Sequence, residues 1–398
     1  MKRIVIWGDD HHNALGLLRM LGGRGFDILF IVHGGTTSVA TSSKYCTKYI
    51  VVHTFDEGLS FLIANYSDES NKAVLLFTAD KYSEFANSNL GKLTPYFHVA
   101  GPMQNGLLRR IDDKYIMGKM AQECGIVIPQ TALISQDNKD AINLIAHFPV
   151  IIKPCDPANK GFKTKIVKNS RELERVSKSF LQHKRYVVQQ YIEKDADGLV
   201  YGCRTNDGRV ILAGICIRNR WGDDECGSFG YLSPEIPSAI NQEGIALFLE
   251  RIDFRGLFSV EYALIKDEAY FYEFNLRNDG TSVLFYNAGA NIALAYVNSC
   301  FGISDEIPTR VKGKQYLMHE ILDRFNIYDG KVSKKQWLED KKKVTIHFLY
   351  DPDDMKPYEI QKGKEMMLYV HHIISRTWIN KIRLKFKNYI LTKRATYN

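Results

Sequence analysis

Residues 257–277 constrain the fold of this chain more than any other part of its sequence. They form two runs in which apolar and polar residues alternate, and a Lys-Asp-Glu turn at 266–268 separates the runs. Such alternation predicts two β-strands that pair as a hairpin. The apolar face of the first run consists of Phe258, Val260, Tyr262 and Leu264, and that of the second consists of Tyr270, Tyr272, Phe274 and Leu276.

Oxygen-bearing side chains lie on the polar faces of this predicted hairpin. Glu261 is on the first strand, and Glu273 and Asn275 are two residues apart on the second. Pairing of the strands brings the three together, and two carboxylates with an amide oxygen suit a Mg²⁺ ion that carries a nucleotide's phosphates. Arg277, two residues further on, is placed to meet an anion beside the metal. The alternative is an ordinary exposed polar strand face, and the residues upstream decide between the two.

The overall composition limits the class of protein. With 398 residues, 45% of them hydrophobic and 25% charged, the chain fits a globular protein of two or three domains. No apolar run reaches the roughly 18 residues of a membrane span, and the opening MKRIVIWGDD predicts a first strand rather than a signal peptide. The 7 cysteines are scattered without a Cys-x-x-Cys pair, which favours reduced thiols and a cytoplasmic location over disulfides or zinc.

The net charge of +8 gathers towards the C-terminus, notably at 341–343 and 381–387. A basic surface suits phosphorylated substrates, acidic lipid headgroups or nucleic acid. No basic helix with interleaved aromatic residues is visible, so nucleic acid is not an expected partner. The basic region 311–398 is interpreted either as a cap that packs on the body or as a face for a phosphorylated carrier or the membrane surface. A homodimer is also compatible with the sequence.

The pattern of elements divides the rest of the chain. Strands predicted at 2–7, 26–32, 48–52, 73–77 and 96–100 alternate with helices, which indicates a doubly wound parallel sheet over 1–110. Its first loop has only Gly8 where a dinucleotide fingerprint needs three spaced glycines, so NAD or FAD binding is not expected there. A small α+β unit follows over 111–192 and includes a helix near 139–146, and an antiparallel set of strands covers 193–310.

The order of the polar motifs resembles that of the ATP-grasp superfamily over roughly residues 1–310. The motifs are, in order, Asp113-Lys114 at a helix start, Pro149-x-x-x-Lys153-Pro154, a loop reaching Gly161, Gln189-Gln190-Tyr191-Ile192, Glu261, and Glu273-x-Asn275-x-Arg277. Their spacing is similar to that of carboxylate–amine ligases of the D-alanine–D-alanine ligase and D-aspartate ligase kinds. The resemblance implies an α/β and α+β fold: the N-terminal doubly wound parallel sheet, then a two-lobed ATP-grasp fold with antiparallel sheets.

The resemblance also implies roles for these residues. Lys114 and Lys153 would reach the phosphates of ATP, and the loop 155–163 with its single Gly161 would cover them. The hinge Gln189, Gln190, Tyr191 and Ile192 would pair with adenine through its backbone, and either Asp195 or Asp197 would meet the ribose.

The remaining implied roles concern the metal and the reacting groups. Glu261, Glu273 and Asn275 would hold one or two Mg²⁺ ions, or Mn²⁺. Arg277 would touch the acyl phosphate or the substrate carboxylate, and Arg218 is either a transition-state cation or a surface arginine. The segment 221–233, with three glycines, is interpreted as a loop near the acceptor.

The activity that the resemblance implies is a two-step ligation. The γ-phosphoryl group of ATP passes to a carboxylate, and an amine then displaces phosphate from the acyl phosphate. Substrates of this class are small molecules or are linked to nucleotides or lipids, as in cell-wall or cell-surface polysaccharide synthesis. The alternative is a non-catalytic nucleotide-binding module of a surface-polymer assembly system.

Overall fold

The computed structural model describes residues 1–135, 147–156, 161–181, 184–222, 227–371 and 373–374. The predicted helix near 139–146, residues 157–160 of the predicted phosphate loop and the basic run 381–387 lie outside the described residues. The strands are β1 (Arg3–Gly8), β2 (Asp27–His33), β3 (Tyr49–Val52), β4 (Ala73–Phe77), β5 (Phe97–Val99), β6 (Gly101–Pro102), β7 (Thr131–Ser135), β8 (Val150–Pro154), β9 (Lys165–Val167), β10 (Arg185–Gln190), β11 (Ala196–Arg204), β12 (Val210–Trp221), β13 (Gly227–Ser233), β14 (Phe254–Ile265), β15 (Glu268–Asn275), β16 (Gln315–Met318) and β17 (Val344–His347). The helices are α1 (His12–Leu21), α2 (Phe55–Asn65), α3 (Asp80–Ser88), α4 (Leu90–Leu93), α5 (Leu107–Ile111), α6 (Lys114–Glu123), α7 (Ser170–Ser177), α8 (Gln242–Arg251), α9 (Ser282–Asn287), α10 (Ile292–Phe301), α11 (Glu320–Tyr328) and α12 (Lys334–Lys343).

The N-terminal domain is built on a five-stranded parallel sheet in the order β3-β2-β1-β4-β5. All five residues of β4 are buried, as expected of a parallel strand covered on both faces. Helix α1 is buried over Asn13–Leu21 and is capped at its C-terminal end by Gly22. The predicted doubly wound parallel sheet is confirmed.

The small lobe (residues 131–190) carries a separate antiparallel sheet in the order β7-β10-β8-β9. Its own core contains Phe162, Phe180 and Tyr186, and the last two rings stack with their centroids 4.4 Å apart. Lys153 lies near the end of β8, opposite Val187 of β10.

The large lobe is a sheet in the order β15-β14-β11-β12-β13-β16-β17, with β6 added at one end of β14. Its strands pair antiparallel except β16 and β17, which are parallel, so the sheet is mixed. One face packs against α6 and α8, and the other shares a core with the N-terminal domain. The interpretation of 221–233 as a loop is wrong over Gly227–Ser233, which form β13. Gly230 is needed there because a Cβ would lie 2.0 Å from the Ile217 carbonyl oxygen.

The predicted hairpin is present as β14 and β15, with one departure from strict alternation. A β-bulge at the pairing of Glu261 with Glu273 puts one extra residue into β15. Phe271 and Phe274 therefore both enter the core against α8, while Tyr272 lies on the same side as Glu273. The expectation that Tyr270 and Tyr272 share the face of Phe274 is wrong for this reason.

Two asparagines join the N-terminal domain to the segment that follows β15. Asn13 donates from its amide nitrogen to the carbonyl oxygens of Thr78 and Asn278, at 2.7 and 3.0 Å. Asn278 in turn donates to the Asn13 carbonyl oxygen, and its Oδ1 accepts from the Tyr201 hydroxyl at 2.9 Å. All four residues are buried, so the two bodies are held by satisfied hydrogen bonds rather than by apolar contact alone.

The C-terminal region packs back onto both of these bodies. Arg220 of the large sheet pairs with Asp323 and Asp340, at 2.7 and 2.9 Å, which fixes α11 and α12. Arg19 of α1 pairs with Asp354 at 2.9 Å, and both side chains are almost fully buried. The interpretation of this region as a packing cap is therefore confirmed for its described residues. Within those residues, no helix has both the length and the apolar character needed to cross a membrane.

We expect Gly280→Ala to destabilise the protein by about 1–3 kcal/mol, the usual cost of overpacking a filled interior. An added Cβ would lie 2.6 Å from Nε2 of the partly buried His12 ring at the start of α1. Urea unfolding measures the loss. The control is Gly363→Ala, which meets nothing within 4 Å and lies in the helical segment 355–371. That change should be neutral or stabilising, because alanine favours helix.

Candidate functional site

The site is centred on two acidic side chains that face each other across β14 and β15. Glu261 and Glu273 are register partners, and Asn275 donates from its amide to Glu261 at 3.0 Å and to the Ser259 hydroxyl at 3.1 Å. Burial raises the pKa of Glu261 to about 7, and the nearby charges of Glu273 and Asp279 add to this. The negative charge of Glu261 is therefore poorly compensated, and a cation between the two carboxylates would stabilise it.

Lys114 brings the first ammonium group to these carboxylates. It is the first residue of α6, whose N-cap Asp113 accepts hydrogen bonds from the backbone amides of Tyr115 and Ile116. Its Nζ lies 2.7 Å from Oε2 of Glu273. Burial acts against both charges, but their attraction prevails: the pKa of Lys114 is raised and that of Glu273 is lowered. Both side chains stay ionised in this pair.

Lys153 of the small lobe is close enough to the same carboxylates for their charges to act on its ammonium group. Its Nζ lies 5.3 Å from the centre of the Tyr272 ring, a ring that Lys194 also approaches at 5.8 Å. Burial, and then repulsion by Lys114, lower the pKa of Lys153 to about 8. Three ammonium groups are thus gathered around one region, and an anion such as a triphosphate would relieve their mutual repulsion.

Arg218 and Asp197 extend this polar face onto the neighbouring strands. They are register partners in β12 and β11. Burial disfavours the charge of Arg218, but nearby groups, among them Glu261 and Asp197, outweigh this and raise its pKa. Nε of Arg218 is buried, and no described residue accepts a hydrogen bond from it. This favours the site arginine over the surface arginine of the two predicted alternatives.

The two candidate ribose residues differ in where they point. Asp197 accepts from Lys194 at 2.6 Å and from the indole N–H of Trp221, beside the ammonium groups described above. Asp195 accepts from the backbone amide of Lys266 at 3.1 Å, in the turn between β14 and β15. The geometry therefore favours Asp197 for the predicted role.

The predicted adenine hinge lies at the end of β10. The amides of Gln190 and Tyr191 donate to the carbonyl oxygens of Gln130 and Pro149, at 2.9 and 3.1 Å. The Gln189 side chain donates to the Thr131 hydroxyl at 3.1 Å. Adenine pairing by this segment remains a prediction, and it would use carbonyl groups or the amide of Ile192. Gly161, at the end of the predicted phosphate loop, is exposed.

Arg277 lies at the junction of the large lobe and the N-terminal domain. It donates to Asn275 at 3.0 Å and to Asp279 at 3.2 Å, and it pairs with Asp80 at 3.1 Å. Sequence reasoning missed Asp80, Asp279, Ser259, Tyr272 and Lys194. One signal for Asp80 was present: it follows the parallel strand β4, and ligands of such sheets bind at the carboxyl ends of strands.

An open cleft runs from these residues towards the N-terminal domain, with a volume of about 800 Å³. The residues that line it include Lys114, Glu273, Asn275, Asp80 and Arg110. The described residues contain no cluster of three or more His, Cys, Asp or Glu suited to a metal. Two carboxylates still fit Mg²⁺, which commonly takes its other ligands from phosphates and water. The Asn275 oxygen accepts from Arg277 at 3.0 Å, so the amide would have to turn over to join them.

Comparison with known sequences gives one informative match. No protein-family model matches the chain. A D-aspartate ligase from Enterococcus faecium (strain Aus0004) is 24% identical over 251 residues, which are 57% of this chain and 58% of that protein. The chain thus spans less than two thirds of this relative's length.

Solved structures show the same fold at low sequence identity. N5-carboxyaminoimidazole ribonucleotide synthetase from Thermus thermophilus has a TM-score of 0.63 at 14% identity, covering 79% of this chain and 82% of its own. N5-carboxyaminoimidazole synthetase from Staphylococcus aureus, complexed with ADP, gives 0.62 at 11%, covering 83% and 87%. Biotin carboxylase from Campylobacter jejuni gives 0.61 at 16%, covering 78% and 74%.

The chain has the ATP-grasp fold of these solved structures, in agreement with the resemblance that the sequence motifs predict. Among known sequences, it is similar to a D-aspartate ligase.

Proposed function

We propose that this protein is an ATP- and Mg²⁺-dependent ligase that activates a carboxylate as an acyl phosphate and couples it to an amine. The observation that carries the proposal is that Glu261 and Glu273 are register partners and that both act on the ammonium groups of two lysines from different bodies, Lys114 and Lys153. Two opposed carboxylates with ammonium groups and a cleft beside them suit a metal–triphosphate complex.

The chain's own residues would act mainly by position and charge. Lys114 and Lys153 would bind phosphate oxygens, and Arg218 would stabilise the negative charge that grows as the γ-phosphoryl group transfers. The carboxylate oxygen forms a bond to phosphorus while the bond to ADP breaks. An amine nitrogen then attacks the acyl carbon and loses a proton, and inorganic phosphate leaves.

Glu261, Glu273 and Asn275 would hold Mg²⁺. When bound, the ion neutralises phosphate charge and orients the triphosphate. The proposed reaction does not need a protein nucleophile. Cys155 is the one described cysteine that lines the cleft, and it is buried. Burial raises the pKa of its thiol to about 12, so the thiol is a poor nucleophile.

The proposal is tested by ADP release from purified protein in the presence of Mg²⁺ and ATP. Amino acids and other carboxylates are offered with a panel of amines, and the product amide is identified by mass spectrometry. We expect ADP release that depends on a particular carboxylate and stops when EDTA is added. Binding of ATP without turnover across the whole panel would instead favour the non-catalytic nucleotide-binding module.

Lys153→Met should weaken MgATP binding by about 10- to 100-fold, because a hydrogen bond to a charged group contributes about 1.5–3 kcal/mol. Calorimetric titration measures the affinity. In the free wild-type protein the ammonium form of Lys153 prevails below pH 8, so MgATP affinity should fall as the pH rises above that value. Lys165→Met, an exposed position in the same lobe, is the control and should leave the affinity unchanged. If both variants bind MgATP as tightly as the wild type, Lys153 does not contact the nucleotide.

The finer parts of the proposal concern substrates and partners. An amino acid as the carboxylate substrate is supported by the D-aspartate ligase relative. A nucleotide- or lipid-linked amine from cell-wall or surface-polysaccharide synthesis is supported by the basic residues at 381–387. Removal of 378–398 should lower the affinity for such phosphorylated amines. Vesicle sedimentation and light scattering would test membrane contact and homodimer formation.

A further inference from the structure

One side of the helical segment 355–371 is held by the rest of the C-terminal region. Glu365 is buried, and one of its carboxylate oxygens lies 3.3 Å from Nε2 of His319. One turn further on, the ring of Tyr369 lies with its centroid 5.3 Å from that of Phe325 in α11. These contacts determine which side of the helix faces the protein and which side faces away from it.

The side that faces away carries an apolar stripe, which consists of Met367, Val370 and Ile374. Residues spaced by three and four positions lie on one face of a helix. Their exposed fractions are 68%, 48% and 62%, and the adjacent Leu368 is 60% exposed. Within the described part of the chain, only the first residue is a more exposed large apolar side chain than Met367. Single apolar residues are common on surfaces, but a contiguous patch of them marks an interaction site.

The sequence at and after the stripe indicates what the partner is. Residues 366–398 contain seven lysines and arginines and no aspartate or glutamate. They open with a largely apolar run and include Trp378, a residue type that favours the boundary between lipid and water. Apolar side chains together with positive charge match a surface that is both apolar and negative, which acidic phospholipids provide. A second copy of this chain would instead bring the same positive charge, and the two would repel each other.

We propose that the apolar stripe enters the headgroup region of a membrane that contains acidic phospholipids, while the basic residues of 366–398 bind the lipid phosphates. The inference goes beyond the proposed ligase function, because lipid binding needs neither ATP nor a carboxylate. The helical segment lies along the membrane surface and does not cross it. Since Glu365 and Tyr369 hold its other side, the membrane fixes the orientation of the whole protein.

The test measures co-sedimentation of the full chain with vesicles, in the absence of nucleotide. One set of vesicles is made of phosphatidylcholine alone, and the other also contains phosphatidylglycerol. We expect binding to be at least about 100-fold tighter to the second set, since each lysine or arginine near an anionic surface contributes about fivefold. Met367→Gln combined with Ile374→Gln should weaken binding to the anionic vesicles by about 10- to 100-fold, because these apolar groups no longer leave water.

The matched control is Leu247→Gln, which changes an apolar side chain of α8 that is 49% exposed. Its binding to vesicles should stay within about twofold of the wild type. All three positions are exposed, so the control and the double variant should unfold at the same urea concentration as the wild type.

Binding of the double variant as tight as that of the wild type would show that the stripe does not enter lipid, and the inference is then wrong. It is also wrong if the wild type does not bind anionic vesicles. Light scattering that gives a dimer which the double variant dissociates would overturn it too, because a second copy then covers the stripe. ADP release without vesicles tests the ligase separately, so the failure of one proposal leaves the other standing.

Discussion

We expect Glu273→Gln to give a folded protein whose ADP release is slower by at least about a thousandfold. The change removes one of the two opposed carboxylates and the partner of Lys114 at 2.7 Å. Metal binding would be lost with it, and a metal contributes several kcal/mol of transition-state stabilisation, each 1.36 kcal/mol of which is tenfold in rate. Coupled assay of ADP measures the rate, and circular dichroism checks the fold.

The control for this change is Glu268→Gln at the other end of β15. Glu268 is exposed and contacts the Tyr270 hydroxyl at 3.2 Å, away from the two lysines. Its replacement should leave the rate of ADP release within about twofold of the wild type, as for a surface change without further contacts. Turnover by Glu273→Gln close to that of Glu268→Gln would contradict the assigned role.

Arg19→Met should lower the free energy of unfolding by about 3–5 kcal/mol, because it leaves a buried carboxylate without its counter-charge. Arg19 donates to Asp354 Oδ2 at 2.9 Å and to the carbonyl oxygens of Leu349 and Asp354 at 2.9 and 2.7 Å. The Ser43 hydroxyl and the Lys44 amide also donate to Asp354. The loss is measured as a shift of the urea unfolding midpoint.

Lys48→Met provides the comparison with an ordinary surface pair. Lys48 and Asp27 lie 2.6 Å apart, but their side chains are 62% and 34% exposed. Loss of such a pair costs at most about 1 kcal/mol. If both variants unfold at the same urea concentration, the Arg19 network contributes no more than a surface contact, and the C-terminal region is held by other means.

Local periodicity was sufficient to predict where the side chains at the centre of the candidate site lie. Alternation along β14 correctly placed Glu261 on the face opposite Phe258 and Val260. The acidic N-cap at Asp113 correctly marked the start of α6, and thereby the position of Lys114. Each of these signals lies within a few residues of the group that it locates.

The features that sequence reasoning missed depend on distant partners. A bulge such as that at Glu273 is set by how two strands fit, and strict alternation does not contain it. Arg19 and Asp354 are 335 residues apart, so nothing near either residue indicates the other. Asp80 similarly becomes part of the site only when the N-terminal domain packs against the segment after β15.

The two asparagines that join the N-terminal domain to the large lobe have a consequence for engineering. Asn13 and Asn278 bond to each other's backbones, and Arg277 is the neighbour of one of them. A chimera that imports a foreign first domain, joined near residues 110–111, would separate these amides from their partners and displace the Arg277 guanidinium. Segments 12–16 and 277–282 should therefore be taken from the same parent protein. The junctions of a chimera are then chosen by which segments share hydrogen bonds and not by their order in the sequence.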